Sequence, residues 1–182
     1  LLKNKFHVDT TIVDTSDLEA VKKAIRPNTK LVHIETPGNP TLTISDIRAI
    51  ADIAHENGAL LSVDNTFASP YNQRPIELGA DFTVESLTKY INGHGDAMGG
   101  GIIGKKEYLD IIRAQSQVNL GATISPFNAW LIMRGAVTLP LRMRQHNANA
   151  LQVAKYLQTV KGVSFVAYPG LETHKGHEIA AE

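Results

Sequence analysis

The stretch Leu60-Leu61-Ser62-Val63-Asp64-Asn65-Thr66 is an apolar run that ends abruptly in an acid and then in polar turn residues. It reads as a buried strand that delivers Asp64 at its carboxyl end. In open α/β sheets ligands bind outside the carboxyl ends of the strands, so an acid in that place is set for a ligand more often than for solvent. The plainer alternative is a turn former or helix cap. Upstream, Ile44, Ile47, Ile50, Ala51 and Ala54 recur at helical spacing, with Ser45 able to cap the start and Gly58 to supply a left-handed stop after Asn57. Further upstream, Thr11-Ile12-Val13 reads as a strand. A helix opened by Ser16 follows through Leu18, Val21 and Ile25, and then a strand over Lys30–Ile34. Downstream, Asp81-Phe82-Thr83-Val84-Glu85 reads as the next strand, and Gly99–Gly104 as another after a glycine-rich turn. Such alternation predicts an α/β fold, a mostly parallel sheet with helices on both faces, because parallel neighbours need long crossovers.

Beyond the last strand the pattern turns helical. It runs through Tyr108, Leu109, Ile111 and Ile112, then from Ser125-Pro126 through Trp130, Leu131 and Met133 to Val137. Pro126 fits a first helical position, and the spacing of Trp130 and Met133 predicts packing against a core. Thr138-Leu139-Pro140 interrupts the pattern before a long helix carrying Met143, Leu151, Val153, Ala154 and Leu157, which places a domain boundary near Pro140. Residues 1–140 then form a large domain. Residues 141–182 supply a linking helix and the beginning of a smaller C-terminal domain, entered at Val163-Ser164-Phe165-Val166.

The strand ending at Glu85 leads into Ser86-Leu87-Thr88-Lys89-Tyr90-Ile91-Asn92-Gly93-His94-Gly95-Asp96. A lysine among hydroxyls and glycines suits an amine that holds a carbonyl cofactor, provided the site lowers its proton affinity or fixes the imine once formed. Ser86 and Thr88 offer hydroxyls for a phosphate at the same turn. A lone lysine would be read as an ordinary surface residue. Asp64 on the neighbouring strand changes that balance, because a carboxylate facing a pyridine nitrogen keeps it protonated, the recognised arrangement in pyridoxal phosphate enzymes.

Four stretches extend the pattern: Glu35-Thr36-Pro37-Gly38-Asn39-Pro40, Ser62 through Tyr71, Ser86 through Asp96, and Ser125 through Leu131, with Tyr168-Pro169-Gly170-Leu171 near the end. Together and in this order they resemble the trans-sulfuration (Cys/Met metabolism) pyridoxal phosphate enzymes, most closely the methionine γ-lyase branch. The resemblance implies a fold-type I, aspartate aminotransferase-like architecture and pyridoxal 5'-phosphate as cofactor. It implies that Lys89 forms the Schiff base with the cofactor and later moves protons between substrate carbons. Asp64 would pair with the pyridinium nitrogen, Ser86 and Thr88 would contact the phosphate, and Asn39 would lie near the phenolic oxygen and the substrate carboxylate. Glu85 departs from the histidine often found before the family's serine. The implied reaction is carbon–sulfur lysis of a sulfur-containing amino acid, with cystathionine γ-lyase, cystathionine γ-synthase and O-acetylhomoserine sulfhydrylase as alternatives. The implied assembly is a homo-oligomer, a dimer of dimers. The chain is expected to be a fragment, since the family's cofactor-stacking tyrosine, glycine-rich phosphate contacts and carboxylate-gripping arginine fall outside it. A catalytically incomplete piece with only a structural or interaction role is the alternative of another class.

Composition agrees with an ordinary globular chain: 182 residues, 43% hydrophobic and 20% charged, with 18 basic and 18 acidic side chains. The balance gives no electrostatic basis for binding nucleic acid or a membrane surface. No apolar run reaches bilayer length, and Leu1-Leu2-Lys3-Asn4-Lys5 lacks a signal-peptide core, so the cytoplasm is the expected compartment. With no cysteine there is no disulfide framework and no thiolate metal site. Gly99 and Gly104-Lys105 match a phosphate-binding loop, but Lys106 stands where Ser or Thr must meet magnesium. That omission, and the absence of a Gly-x-Gly-x-x-Gly turn after an early strand, disfavours a nucleotide-dependent enzyme. His94 with Asp96 reads as a turn. His174, His177 and Glu178 lack the His-Glu-x-x-His order and read as a loop or helix start.

Overall fold

The computed structural model describes residues 2–121 and 123–181. In chain order its elements are α1 (Leu2–Phe6), α2 (Leu18–Ala24), β1 (Leu31–Glu35), α3 (Ile47–Glu56), β2 (Leu60–Asp64), α4 (Ser69–Asn72), β3 (Phe82–Ser86) and β4 (Gly100–Gly104). Then come α5 (Lys106–Ile112), α6 (Val118–Leu120), α7 (Pro126–Ala136), α8 (Leu139–Gln158) and α9 (His177–Ala181). The sheet order is β1-β2-β3-β4. The first three strands run parallel, pairing Glu35 with Asp64 and Asp64 with Val84. Each crossover between them therefore returns the chain to the same sheet edge, and β1, β2 and β3 all end on one side. β4 runs antiparallel to β3, pairing Ser86 with Gly100. The result is the expected α/β fold, a parallel-dominated sheet flanked by helices.

The core lies between the sheet and α3. Ile47, Ile50, Ala51, Ile53 and Ala54 bury one side of α3 against Ile34, Leu61 and Val63, with Val21 from α2 closing the cluster. A side chain of this size contributes about 1.5–3 kcal/mol when fully buried, which accounts for the sharp apolar spacing of α3. Asp46, rather than Ser45, caps α3: its carboxylate accepts from Ala49 N at 3.0 Å. Ser45 instead donates its backbone N–H to Thr36 Oγ1 at 3.0 Å. Asp17 likewise displaces Ser16 as the cap of α2, accepting from Glu19 N and Ala20 N. An ionised carboxylate at a helix start gains from the helix dipole as well as from the hydrogen bond, so the acid prevails over the adjacent serine.

Two further sequence expectations fail, and a helix break is shifted by a residue or two. Thr11–Val13 forms no strand, and Ile12 is 99% exposed. Trp130 and Met133 stand on the open face of α7, 51% and 65% exposed, instead of packing inward. Pro140 falls inside the first turn of α8, where its missing N–H costs nothing, so the break between the two long helices lies at Val137–Thr138. Val163–Val166, where the sequence predicts entry into a second domain, has no regular secondary structure. No helix among the described residues is long and apolar enough to cross a membrane.

Candidate active site

Asp64 is the last residue of β2, half-buried. Its Oδ1 accepts from Thr66 N at 3.0 Å, an acid-led turn that ends the strand. The Thr66 hydroxyl in turn accepts from Ser86 N at 2.8 Å, tying the end of β2 to the end of β3. Ser86 O then accepts from Lys89 N at 3.1 Å. One continuous path of local hydrogen bonds therefore joins Asp64 to the Lys89 turn. The Asp64 carboxylate and the Lys89 amine form no ion pair with any other side chain among the described residues.

Lys89 is exposed and opens into a cleft of about 380 Å³ lined by Phe67, Lys89, Tyr90, Gly93, Arg142 and His146. A larger cavity of about 750 Å³ lies elsewhere, between the 41–44 segment and residues 163–179, and contains none of the five predicted site residues. Its histidine, His174, is turned to Leu42 O at 2.9 Å, and His177 Nδ1 lies 2.7 Å from Pro169 O at the start of α9. His94 Nδ1 sits 2.6 Å from Asn92 O, a local turn contact.

The remaining predicted residues differ in how free they are. Ser86 has no side-chain hydrogen bond among the described residues, so its hydroxyl is available. Thr88 is engaged: its Oγ1 donates to Gly99 O at 3.2 Å and accepts from Gly99 N at 3.1 Å, clamping the start of β4 to the Lys89 turn. A hydroxyl has one proton, so Thr88 can donate to a phosphate only by releasing Gly99 O. Asn39 is exposed on the loop that follows β1. β1 lies beside β2, with Glu35 in register with Asp64. An acid, an amine and a free hydroxyl thus gather at adjoining strand ends. That donor set fits the ring nitrogen and the aldehyde of pyridoxal phosphate, and one hydroxyl serves its phosphate.

Two features escaped sequence reading. Glu85, only 3% exposed, heads a buried polar chain on the sheet face opposite Asp64. Asn65 Nδ2 donates to Glu85 Oε1 at 2.8 Å and to Gln73 O at 3.0 Å, while Gln73 Nε2 donates to Asn65 Oδ1 at 2.8 Å and to Thr36 O at 3.0 Å. Burial pushes the Glu85 carboxyl above its ordinary range; the Asn65 hydrogen bond opposes that shift and the charge of nearby Asp64 adds to it. The other feature is the grip on the Lys89 turn from α7 and α8. Gly135 on α7 touches the backbone of Asn92 so closely that a Cβ there would collide with Asn92 O. Arg142 on α8 hydrogen-bonds the carbonyls of Tyr90 and Ile91. A small residue between Arg134 and Ala136 was the available signal for the first contact. The second joins residues 51 and 52 positions apart and leaves no local pattern.

All of residues 1–182 match the family model described as Cys/Met metabolism PLP-dependent enzyme. The chain belongs to that family. Pyridoxal 5'-phosphate is accordingly its cofactor, and the trans-sulfuration resemblance holds over the whole chain. Among relatives, it is 54% identical over 180 residues to a canavanine gamma-lyase of Rhizobium leguminosarum bv. trifolii, covering 99% of this chain and 45% of that protein. It is 47% identical over 180 residues to an L-methionine gamma-lyase of Treponema denticola, covering 97% of this chain and 45% of that protein. The crystal structure of metB from Corynebacterium glutamicum superimposes with a TM-score of 0.94 at 46% identity, covering 99% of this chain and 48% of the other. The chain spans about half the length of the curated relatives it matches.

Proposed function

We propose that the complete protein is a pyridoxal phosphate-dependent γ-lyase that releases a leaving group from the γ-carbon of an amino acid, with methionine as the leading substrate. The observation that carries this reading is the convergence of Asp64 and Lys89 on adjoining carboxyl ends of β2 and β3 in a chain of this family. When bound, the cofactor supplies an electron sink for the substrate α-carbon. The chain's own residues have separate tasks. Lys89 anchors the cofactor and then holds and moves a proton at Nζ. Asp64 would keep the ring nitrogen protonated through a carboxylate that no side-chain cation among the described residues pairs with. Ser86 holds the phosphate, Thr88 joins it once its hydroxyl releases Gly99 O, and Asn39 orients the substrate carboxylate. Phe67 and Tyr90, as walls of the cleft, limit water around the amine.

Canavanine is the second reading, favoured by the higher identity to the canavanine γ-lyase than to the methionine γ-lyase named above. The whole protein is proposed to work as a homo-oligomer, a dimer of dimers, with residues 1–140 in the cofactor domain and α8 leading into the C-terminal one. The exposed apolar residues of α7 support a covered surface in the assembled enzyme. The deciding experiment incubates the full-length protein separately with methionine, canavanine, cystathionine and an O-acylated homoserine, and identifies the keto acid and the released group. Methanethiol from methionine supports the leading reading. Turnover of canavanine alone replaces it with the second, and turnover only of the homoserine ester with added thiol turns the assignment from elimination to replacement.

A further inference from the structure

Arg142 makes an unusual set of contacts for a cation. Its Nη1 donates to Tyr90 O at 2.6 Å, its Nη2 to Ile91 O at 3.2 Å and to Gly135 O at 3.0 Å, and its Nε to Thr138 Oγ1 at 3.0 Å. All four acceptors are neutral, and no carboxylate among the described residues lies within ion-pairing distance. A guanidinium used this way acts by shape, as a planar fork that fixes several acceptors relative to one another.

The acceptors it takes are those the turn leaves over. Within the Lys89 turn, Ser86 O accepts from Lys89 N, Leu87 O from Asn92 N and Lys89 O from Gly93 N. Tyr90 O and Ile91 O, immediately after Lys89, have no partner in those internal bonds, and Arg142 supplies both. Gly93 makes the approach possible. It sits at φ +72°, and a Cβ there would occupy the place of the guanidinium itself. On the far side, Arg142 is fastened to its own helices through Gly135 O and Thr138 Oγ1, and Thr138 Oγ1 in turn donates to Gly135 O at 3.2 Å. The side chain therefore bridges the end of α7, the start of α8 and the two peptides that follow the cofactor lysine. The same residue lines the cleft into which Lys89 opens.

We infer that Arg142 is a positioning residue for Lys89: by holding the carbonyls of Tyr90 and Ile91, it sets where the amine stands and ties that position to the orientation of α8. The inference rests on the proposed role of Lys89 as the cofactor lysine. It predicts that loss of the fork loosens the lysine, speeding cofactor release and slowing turnover while substrate affinity stays nearly unchanged. A displacement of about 1 Å at a catalytic group is enough to slow a reaction about 100-fold.

The test uses the full-length holoenzyme. Borohydride reduction followed by peptide mapping of the wild-type protein first identifies the modified lysine; modification elsewhere defeats the Lys89 reading itself and not merely the role of Arg142. With Lys89 established, Arg142→Lys is compared with wild type for cofactor release into a scavenger, visible-region circular dichroism of the bound cofactor, kcat and KM. Far-ultraviolet dichroism and the thermal midpoint monitor the fold. The expected result is a folded variant with release faster and kcat lower by about tenfold or more, a weakened visible dichroism and KM within about threefold of wild type. Release, dichroism and kcat all within about threefold of wild type overturn the inference. If Arg142→Lys does not fold, Thr138→Val removes the acceptor of Nε and, with it, the hydroxyl's bond to Gly135 O. Release accelerated at an unchanged thermal midpoint then supports the inference, and unchanged release overturns it.

Discussion

The two sides of α7 follow opposite rules. Toward the Lys89 turn, Gly135 presses on the Asn92 backbone, Asn92 is fully buried with its Nδ2 donating to Asp96 at 2.9 Å, and Arg142 collects the leftover carbonyls. Away from it, Phe127, Trp130 and Met133 stand exposed, with Arg134 about 5.9 Å from the Trp130 ring. The inner side thus combines the buried Ile132 with polar backbone contacts and an absent side chain, while the outer side is bulk apolar surface. Apolar contact tolerates small shifts, whereas a hydrogen-bonded turn transmits them. Lys89 therefore belongs to the side on which geometry is fixed.

Substitutions should separate the two sides. The largest effect is expected from Lys89→Ala in the full-length protein, which removes both anchorage and proton transfer. Keto acid formation should fall by at least about 1,000-fold, and wild-type rates would refute the site. Asp64→Asn keeps the shape and removes the charge, with an expected loss of about 100-fold in kcat, checked in the same assay. Gly135→Ala forces a Cβ against Asn92 O and should destabilise the protein by about 1–3 kcal/mol, read from urea unfolding; a neutral result would show that the inner side yields as easily as the outer.

A fourth prediction concerns pH. The Glu85 carboxyl is raised above its reference of 4.5 by burial. An acid whose folded pKa exceeds its unfolded one binds its proton more tightly when folded, so it favours the fold at low pH and that contribution is lost as pH rises through the folded value. Glu85→Gln retains an oxygen for Asn65 and cannot ionise. Its urea midpoint should match wild type in acid and exceed it increasingly toward neutral pH; a constant difference across the range would remove Glu85 as the source. The smallest effect is expected on the outer side. Met133→Ser should change the thermodynamic stability of residues 1–182 by less than about 0.5 kcal/mol. A larger loss confined to the full-length protein would show that the outer face is covered there.

Much of the frame was legible because local pattern and tertiary role coincide. The run Leu60–Asp64 is buried for most of its length, and its strand has those same bounds. The spacing of Ile47, Ile50 and Ala54 reports a helix with one face on a sheet. Where pattern and role part, sequence reading fails for identifiable reasons. Thr11–Val13 has β-forming residues but pairs with no strand among the described residues. Trp130 and Met133 keep helical spacing on a side left largely exposed among the described residues. The antiparallel sense of β4 is invisible in Gly100–Gly104, whose glycines carry no face preference. Glu85 looks solvent-bound by type, and only its place behind Asn65 makes it a buried acid. Asp64 and Ser86 are legible as candidates because they end strands, and Lys89 because it stands among hydroxyls and glycines, whereas the contacts of Arg142 span a distance that no motif covers.

The reversal at β4 also has a kinetic side. β1, β2 and β3 come together only after each intervening helix or long loop has been folded back, but Ser86 and Gly100 pair across a hairpin whose intervening loop contains Lys89. Closing a short segment loses less chain entropy than joining distant ones. Lys89 thus lies in the segment between neighbouring strands whose ends are the least costly to bring together.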